Sequence, residues 1–479
     1  MFELRECTAA SIQAAMAAGE LTSEELVLAY FDRIAAADRS GPTLNSVLEL
    51  NPDAVTTAAA MDRLRAQGRV LSPLHGVPVL LKDNINTHDK LHTSAGSLAL
   101  ADNCAPYDSA VAARLRAAGA VILGKANMTE LANFMAYHMK GGYSSRGGQV
   151  KNPYNPAAEV YGSSSGSAVA VSANLTALAV GTETNGSIIA PAFINGCVGL
   201  KPTVGLVSRT GIVPISATQD TAGPLTRTVA DAAALLNVLA GEDESDPATL
   251  GVDAIRPEDY TSFLDADGLR NMRLGVSWYN ARPAENRGRY LTEEMTALAQ
   301  RAVDDMREAG AVIVDGCDVP TDMNNFDVML YEFRQCLDAY LATTNCRVRT
   351  LEQMIDFYMA HPKEGLKYGM GILLDAQLKA ARGLTDPAYI EAKRKCLEVA
   401  RGGLDKAFAE HELDLLVLPL FSGLSPVSGY PSICVPAGYT PDGTPYGITL
   451  VGRPFDEPKL IRAAYAYEQF SKRRVAPEV

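Results

Sequence analysis

The chain has 479 residues, 47% hydrophobic and 21% charged, an ordinary globular composition that argues against disorder and is long enough for one large domain or two. Its net charge of −13, from 43 basic and 56 acidic residues, argues against a nucleic-acid backbone as the main partner, because that contact needs a basic face. The only basic runs, Lys393-Arg394-Lys395 and Lys472-Arg473-Arg474, are short.

The N-terminus has no basic stretch followed by an apolar one, so no secretory signal is expected. No apolar run reaches about 18 residues, so no membrane contact is expected. Eight cysteines lie scattered without a CxxC, the pattern of buried reduced thiols in a cytoplasmic protein rather than a disulfide frame or zinc site.

In chain order, the first 35 residues read as two helices, with a capping box of Thr22 and Glu25 ahead of the apolar stripe Leu26, Tyr30 and Ile34. A third helix is expected over 53–67. The run Gly76-Val77-Pro78-Val79-Leu80-Leu81-Lys82-Asp83 reads as a buried strand that delivers Lys82 at its end. A helix over 109–118 and a strand over 120–124 follow, an alternation that predicts an α/β sheet with helices on its faces.

Residues 141–167 contain six Gly, six Ser and two Pro. That is a long loop, functional rather than disordered because it runs straight into the apolar helix start Ala168-Val169-Ala170-Val171. Further helices are expected over 232–240, 293–310 and 458–470. An acidic surface connection is expected over 241–247, and short strands over 413–419 and 433–438.

Amide hydrolysis needs a nucleophile, a proton carrier and donors for a tetrahedral oxyanion. Gly181-Thr182-Glu183-Thr184-Asn185-Gly186-Ser187 offers a tight turn before a serine, with backbone amides converging near its hydroxyl. The same serine also reads as a plain helix cap. Gly162-Ser163-Ser164-Ser165-Gly166 matches a nucleophile elbow centred on Ser164, but only His361 and His411 lie downstream to serve it. It also reads as a linker, or as a phosphate cradle lacking the required Lys. Lys82 is either a snorkelling surface cation or a desolvated base. His88 and His92 have the spacing of a helical zinc pair, but no third ligand is near them in sequence.

Together these segments resemble the amidase signature family. The matching residues are Leu74 to Asp83, Gly124-Lys125-Ala126-Asn127-Met128-Thr129-Glu130, Tyr161 to Ala168, Gly181 to Ile188, Gly196 to Thr203, and Asp220-Thr221-Ala222-Gly223-Pro224. The resemblance is continuous over about 70–240. It implies a single large α/β domain with a central mixed twisted sheet covered by helices on both faces. Within it, a helical region over 1–65 packs on a core of 66–479. That core holds the motifs (70–240), a substrate-shaping helical insert (about 250–410) and C-terminal strands with a helix (411–479).

The resemblance also implies a Ser–cis-Ser–Lys triad, with Lys82 as base, Ser163 as relay on a cis peptide and Ser187 as nucleophile. The interval of 24 positions from Ser163 to Ser187 is the family's, and it selects Ser163 over Ser164 and Ser165. Backbone amides of Thr184, Asn185, Gly186 and Ser187 would form the oxyanion hole, with no cofactor and no metal. The expected substrate is a small-molecule or short-peptide amide, for an enzyme acting alone or as a homodimer.

Gly147-Gly148-Gln149 ahead of Asn152-Pro153-Tyr154 looks like the bacterial peptide-amidase branch. Asn185 stands where that branch usually has Asp, and the segment over 419–430 is short. The alternative is the glutamine-hydrolysing subunit of an amidotransferase complex, whose nucleophile region usually reads Gly-Gly-Ser-Ile-Arg. Here Asn185-Gly186-Ser187-Ile188-Ile189 differs at two positions. A non-enzymatic binding protein is the third reading, and the intact triad positions stand against it.

Aromatic and Met residues, among them Phe134, Met135, Tyr137, Tyr331, Phe333, Tyr358 and Met359, suggest an apolar acyl pocket, though core packing explains them equally well.

Overall fold

The computed structural model describes residues 2–283 and 290–479; residues 284–289, within the expected helical insert, lie outside them. The chain begins with α1 (Ala9–Ala17), α2 (Ser23–Arg33), β1 (Val47–Leu50), α3 (Ala54–Ala66), β2 (Pro78–Lys82), α4 (Ala110–Ala117) and β3 (Val121–Ala126). Two-residue strands β4 (Tyr143–Ser144) and β5 (Gly148–Gln149) precede α5 (Ser165–Ser172), β6 (Leu178–Glu183), α6 (Ile189–Asn195), β7 (Val198–Lys201), β8 (Thr221–Thr226) and α7 (Val229–Leu239).

Next come β9 (Arg273–Val276), α8 (Glu293–Glu308), β10 (Val312–Val314), α9 (Asn325–Ala342), α10 (Leu351–Ala360), α11 (Pro362–Gly365), α12 (Gly371–Lys379), α13 (Pro387–Leu397) and α14 (Gly403–Glu410). The last elements are β11 (Leu415–Leu418), α15 (Leu424–Ser428), β12 (Ser432–Tyr439), β13 (Pro445–Val451) and α16 (Glu457–Ser471).

Eleven strands form one mixed sheet in the order β1-β3-β2-β6-β8-β7-β12-β13-β11-β9-β10, and β4 pairs with β5 alone. Strand β2 lies parallel to both β3 and β6, while β6 to β13 join through antiparallel pairs. The α/β reading holds. Helices α1 to α3 share the sheet's main apolar core through Ile12, Leu26, Tyr30 and Ala58. A second core, built on Phe333, Leu337, Met354 and Leu373, unites α9, α10 and α12 with residues 95–139.

Local chemistry explains the elements the sequence makes visible. Thr22 Oγ1 accepts from the Glu25 amide at 3.1 Å and Glu25 Oε2 accepts from the Thr22 amide at 2.8 Å, the reciprocal capping box that opens α2. Strands β6, β7, β8 and β13 are not visible in the same way. Strand β8 contains Gly223 and Pro224, residues that argue against an interior strand, yet Pro224 stands opposite Val180 of β6.

Two expectations are corrected. Cys104 is exposed and Cys336 half-buried, although all eight thiols are free. The acidic connection over 241–247 is only partly a surface segment, because Asp246 is buried under the guanidinium of Arg209. Within the short basic run at 472–474, Arg473 pairs with Asp305, and Arg474 reaches inward to Glu6 and to the carbonyls of Ser172 and Gly196. Among the described residues, no helix is long and apolar enough to cross a membrane.

Candidate active site

Every residue of β2 is buried, including its last, Lys82. The Lys82 ammonium cannot snorkel from there, so its hydrogens must be met inside the protein. Nζ donates to Ser163 Oγ at 2.7 Å, Thr182 Oγ1 at 2.8 Å and Thr182 O at 3.1 Å. These acceptors carry no charge to repay the loss of hydration. Burial therefore lowers the Lys82 pKa to about 7, against the opposing pulls of Glu183 and Asp220. An amine so placed exchanges protons near neutral pH.

The peptide joining Gly162 to Ser163 is cis. Ser163 is fully buried, and its carbonyl accepts from the Thr129 amide at 3.1 Å. The next serine links the two segments, since the Ser164 amide donates to Ser187 O at 3.1 Å. The Ser164 hydroxyl is tied to the Thr182 backbone, donating to its carbonyl at 3.0 Å. Ser165 Oγ donates to Tyr161 O at 2.7 Å. Neither is left poised as an elbow nucleophile. His361 stacks on Phe357 at the surface, and His411 closes α14.

Between β6 and α6 the chain turns through Thr184, Asn185, Gly186 and Ser187. Gly186 has φ +83°, a left-handed conformation that glycine adopts without strain. Glu183 Oε2 accepts from the Ile188 and Ile189 amides at 2.7 and 3.0 Å, so a buried carboxylate anchors the start of α6. The Ala190 amide donates to Gly186 O at 2.7 Å. In a trans peptide the following N–H points opposite to that carbonyl, so the Ser187 amide is directed out of the helix. Among the described residues, the amides of Thr184, Asn185, Gly186 and Ser187 donate to no protein acceptor.

Ser187 retains 7% exposure at the wall of a cavity of about 630 Å³, within the range of small-ligand sites. Thr184, Asn185, Phe134, Phe326 and Phe421 share that wall. Phe421 packs edge-on against Tyr161 and Phe193. A Cβ on Gly423 would lie 3.6 Å from Asn185 Oδ1. The unusual Asn185 and the short segment over 419–430 are therefore neighbours.

The family described as Amidase matches residues 25–427. The chain belongs to the amidase signature family. The native peptide amidase of Stenotrophomonas maltophilia, solved by X-ray, is 47% identical to this amidase with a TM-score of 0.91, over 100% of this chain and 99% of that one. A probable amidase of Arabidopsis thaliana is 40% identical over 100% of this chain and 92% of its own length. A glutamyl-tRNA(Gln) amidotransferase subunit of Chloroflexus aurantiacus is 33% identical, covering 98% of each. The protein is thus a hydrolase of carbon–nitrogen bonds.

In this amidase, the side chains of Lys82 and Ser163 meet directly, and the backbone of Ser187 is tied to the same segment through the Ser164 amide. His88 is exposed, while the half-buried His92 pairs through Nδ1 with Glu49 at 2.9 Å. The suggested apolar pocket is largely corrected. Of the residues named for it, Phe134 lines the cavity, Tyr137 and Tyr331 line a separate groove, Met135, Phe333 and Tyr358 are core, and Met359 is exposed. His138, Lys140 and Glu159 give the cavity polar walls instead.

Sequence reasoning missed Thr182, Glu183, Gln219 and Asp220 as supports of the site. Thr182 and Glu183 end the strand that leads into the turn, and Asp220 opens a family motif. That position was the available signal.

Proposed function

We propose that the chain hydrolyses a carboxylic amide to a carboxylate and ammonia or amine through an acyl-enzyme on Ser187. The substrate class is a primary amide, a C-terminal peptide amide or an aryl amide. The observation that carries this reading is the buried Lys82 Nζ at 2.7 Å from Ser163 Oγ, on an amine whose pKa burial brings to about 7.

Neutral Lys82 takes the proton of Ser163 as Ser163 takes that of Ser187. Ser187 Oγ bonds to the amide carbon, and the carbonyl electrons move onto oxygen, facing the amides of Thr184, Asn185, Gly186 and Ser187. Collapse breaks the carbon–nitrogen bond as the relay returns the proton to the departing nitrogen. Water, deprotonated by the same route, then releases the carboxylate and restores Ser187.

The likeness to a peptide amidase over the whole chain supports a short peptide amide as substrate, and it favours an enzyme acting alone over a component of an amidotransferase complex. Ammonia and amine release should be measured separately on a panel of peptide amides, simple carboxamides and anilides, with the purified chain and its Ser187→Ala variant. The parent is expected to release ammonia unaided and the variant to form no acyl-enzyme. Turnover retained by Ser187→Ala would remove the nucleophile assignment, and glutamine hydrolysis only with added partner proteins would revive the amidotransferase reading.

A further inference from the structure

The motif beginning at Asp220 belongs to the family pattern but supplies none of the groups in the reaction above. Its segment reaches the nucleophile turn from the β8 side. Gln219 is buried, and its Nε2 donates to Thr184 O at 3.0 Å. Asp220 Oδ1 accepts from Thr184 Oγ1 at 2.5 Å, while its Oδ2 accepts from the Ile215 and Ser216 amides at 2.8 and 2.9 Å. Thr184 is thus gripped at its carbonyl and at its side chain by two consecutive residues.

The carbonyl grip has a directional effect. Thr184 O and the Asn185 N–H belong to one planar trans peptide and point in opposite directions. With Thr184 O held toward Gln219, the Asn185 N–H is turned away from Gln219. The opposite end of the turn is fixed independently by Glu183 and by the Gly186 carbonyl. A buried amide side chain within reach of a backbone carbonyl that could otherwise rotate makes the donor pre-aimed rather than recruited, which is where electrostatic catalysis gains most.

We propose that Gln219, backed by Asp220, is a positioning residue that aims the Asn185 amide at the oxyanion formed on the substrate. This rests on the proposed acyl-enzyme reaction at Ser187. It requires that Gln219 act on the transition state and not on ground-state binding.

The test is steady-state kinetics of Gln219→Leu and Gln219→Glu, with Thr184→Val and the conservative Thr184→Ser as a second pair. Each is paired with affinities for a dipeptide aldehyde, which forms a tetrahedral adduct on the serine, and for the product carboxylate. Both Gln219 variants are expected to lose about tenfold or more in kcat with KM changed by less than about threefold. Aldehyde affinity should fall in step with kcat and carboxylate affinity should hold. Thr184→Val should behave likewise, with Thr184→Ser restoring activity, and this pair carries the test if the Gln219 variants do not fold.

Variants of both kinds within about threefold of the parent kcat, or equal losses of aldehyde and carboxylate affinity, would overturn the assignment. Ser187→Ala separates the two levels. If it abolishes turnover while the Gln219 and Thr184 variants do nothing, the positioning role fails and the acyl-enzyme reading stands. If it retains turnover, the reading itself fails.

Discussion

Lys82 has no carboxylate within hydrogen-bond reach, only hydroxyls and a carbonyl. With its pKa lowered to about 7 by burial, the amine, the base of the proposed reaction, is protonated below that pH and free above it. The sign is therefore fixed: kcat/KM should fall about tenfold per pH unit below about 7 and level off above it. A rate profile between pH 5 and 9 checks this, and a flat profile would exclude a neutral lysine. Lys82→Ala should cost as much as Ser187→Ala, since it empties the relay's only proton acceptor in the proposed route. In the sequence Lys82 is marked only as the end of a buried run and Ser187 only as a serine after a turn, which fit a surface cation and a helix cap equally well; the resemblance to the family is what singles them out. Gln219 is not legible that way, because an uncharged amide in a loop leaves no periodicity and its role depends on a carbonyl 35 positions away.

At the scale of elements, the site depends on how closely α5 approaches the end of β3. The Gly166 amide donates to Asn127 O at 2.9 Å, and a Cβ on Gly166 would meet Asn127 O at 2.2 Å and Ser46 O at 2.3 Å. Both obstacles are backbone and cannot turn aside. Gly166→Ala should therefore destabilise the fold by about 3 kcal/mol, the upper range for overpacking, and draw Ser163 away from Lys82. A thermal melt and a kcat measurement should both show a loss. The serine–glycine loop carrying α5 is recognisable from composition, but this contact is not. Helices with a clear start, such as the Thr22-capped α2, are legible almost to the residue. Strands β6 to β8 hide because Gly, Thr and Pro serve there for close approach and hydrogen bonding rather than apolar alternation.

For the whole molecule, Arg474 acts as a clasp. Its side chain reaches Glu6 near one end of the chain, Ser172 O at the last turn of α5 and Gly196 O just after α6. It thereby satisfies carbonyls at the C-terminal ends of the two helices that follow Ser163 and Ser187. Arg474→Met should cost about 3 kcal/mol by leaving those carbonyls and Glu6 without their cation. A shift in urea midpoint measures it. This role of Arg474 is not legible in sequence, since nothing local in a short basic run distinguishes an outward arginine from one turned into the fold.

The order of strands also sets the timing of assembly. Strand β7 pairs with β12, Leu200 opposite Ile433 and Gly199 opposite Cys434, and β12 is followed at once by its partner β13. On the ribosome, everything that carries the reacting groups is made before this seam can close. Throughout synthesis of the intervening segment, the nascent chain holds an apolar sheet edge open to other chains. Such long-range pairing also slows folding. The segment that carries Lys82, Ser163 and Ser187 is thus complete long before the hairpin that closes its sheet edge is translated.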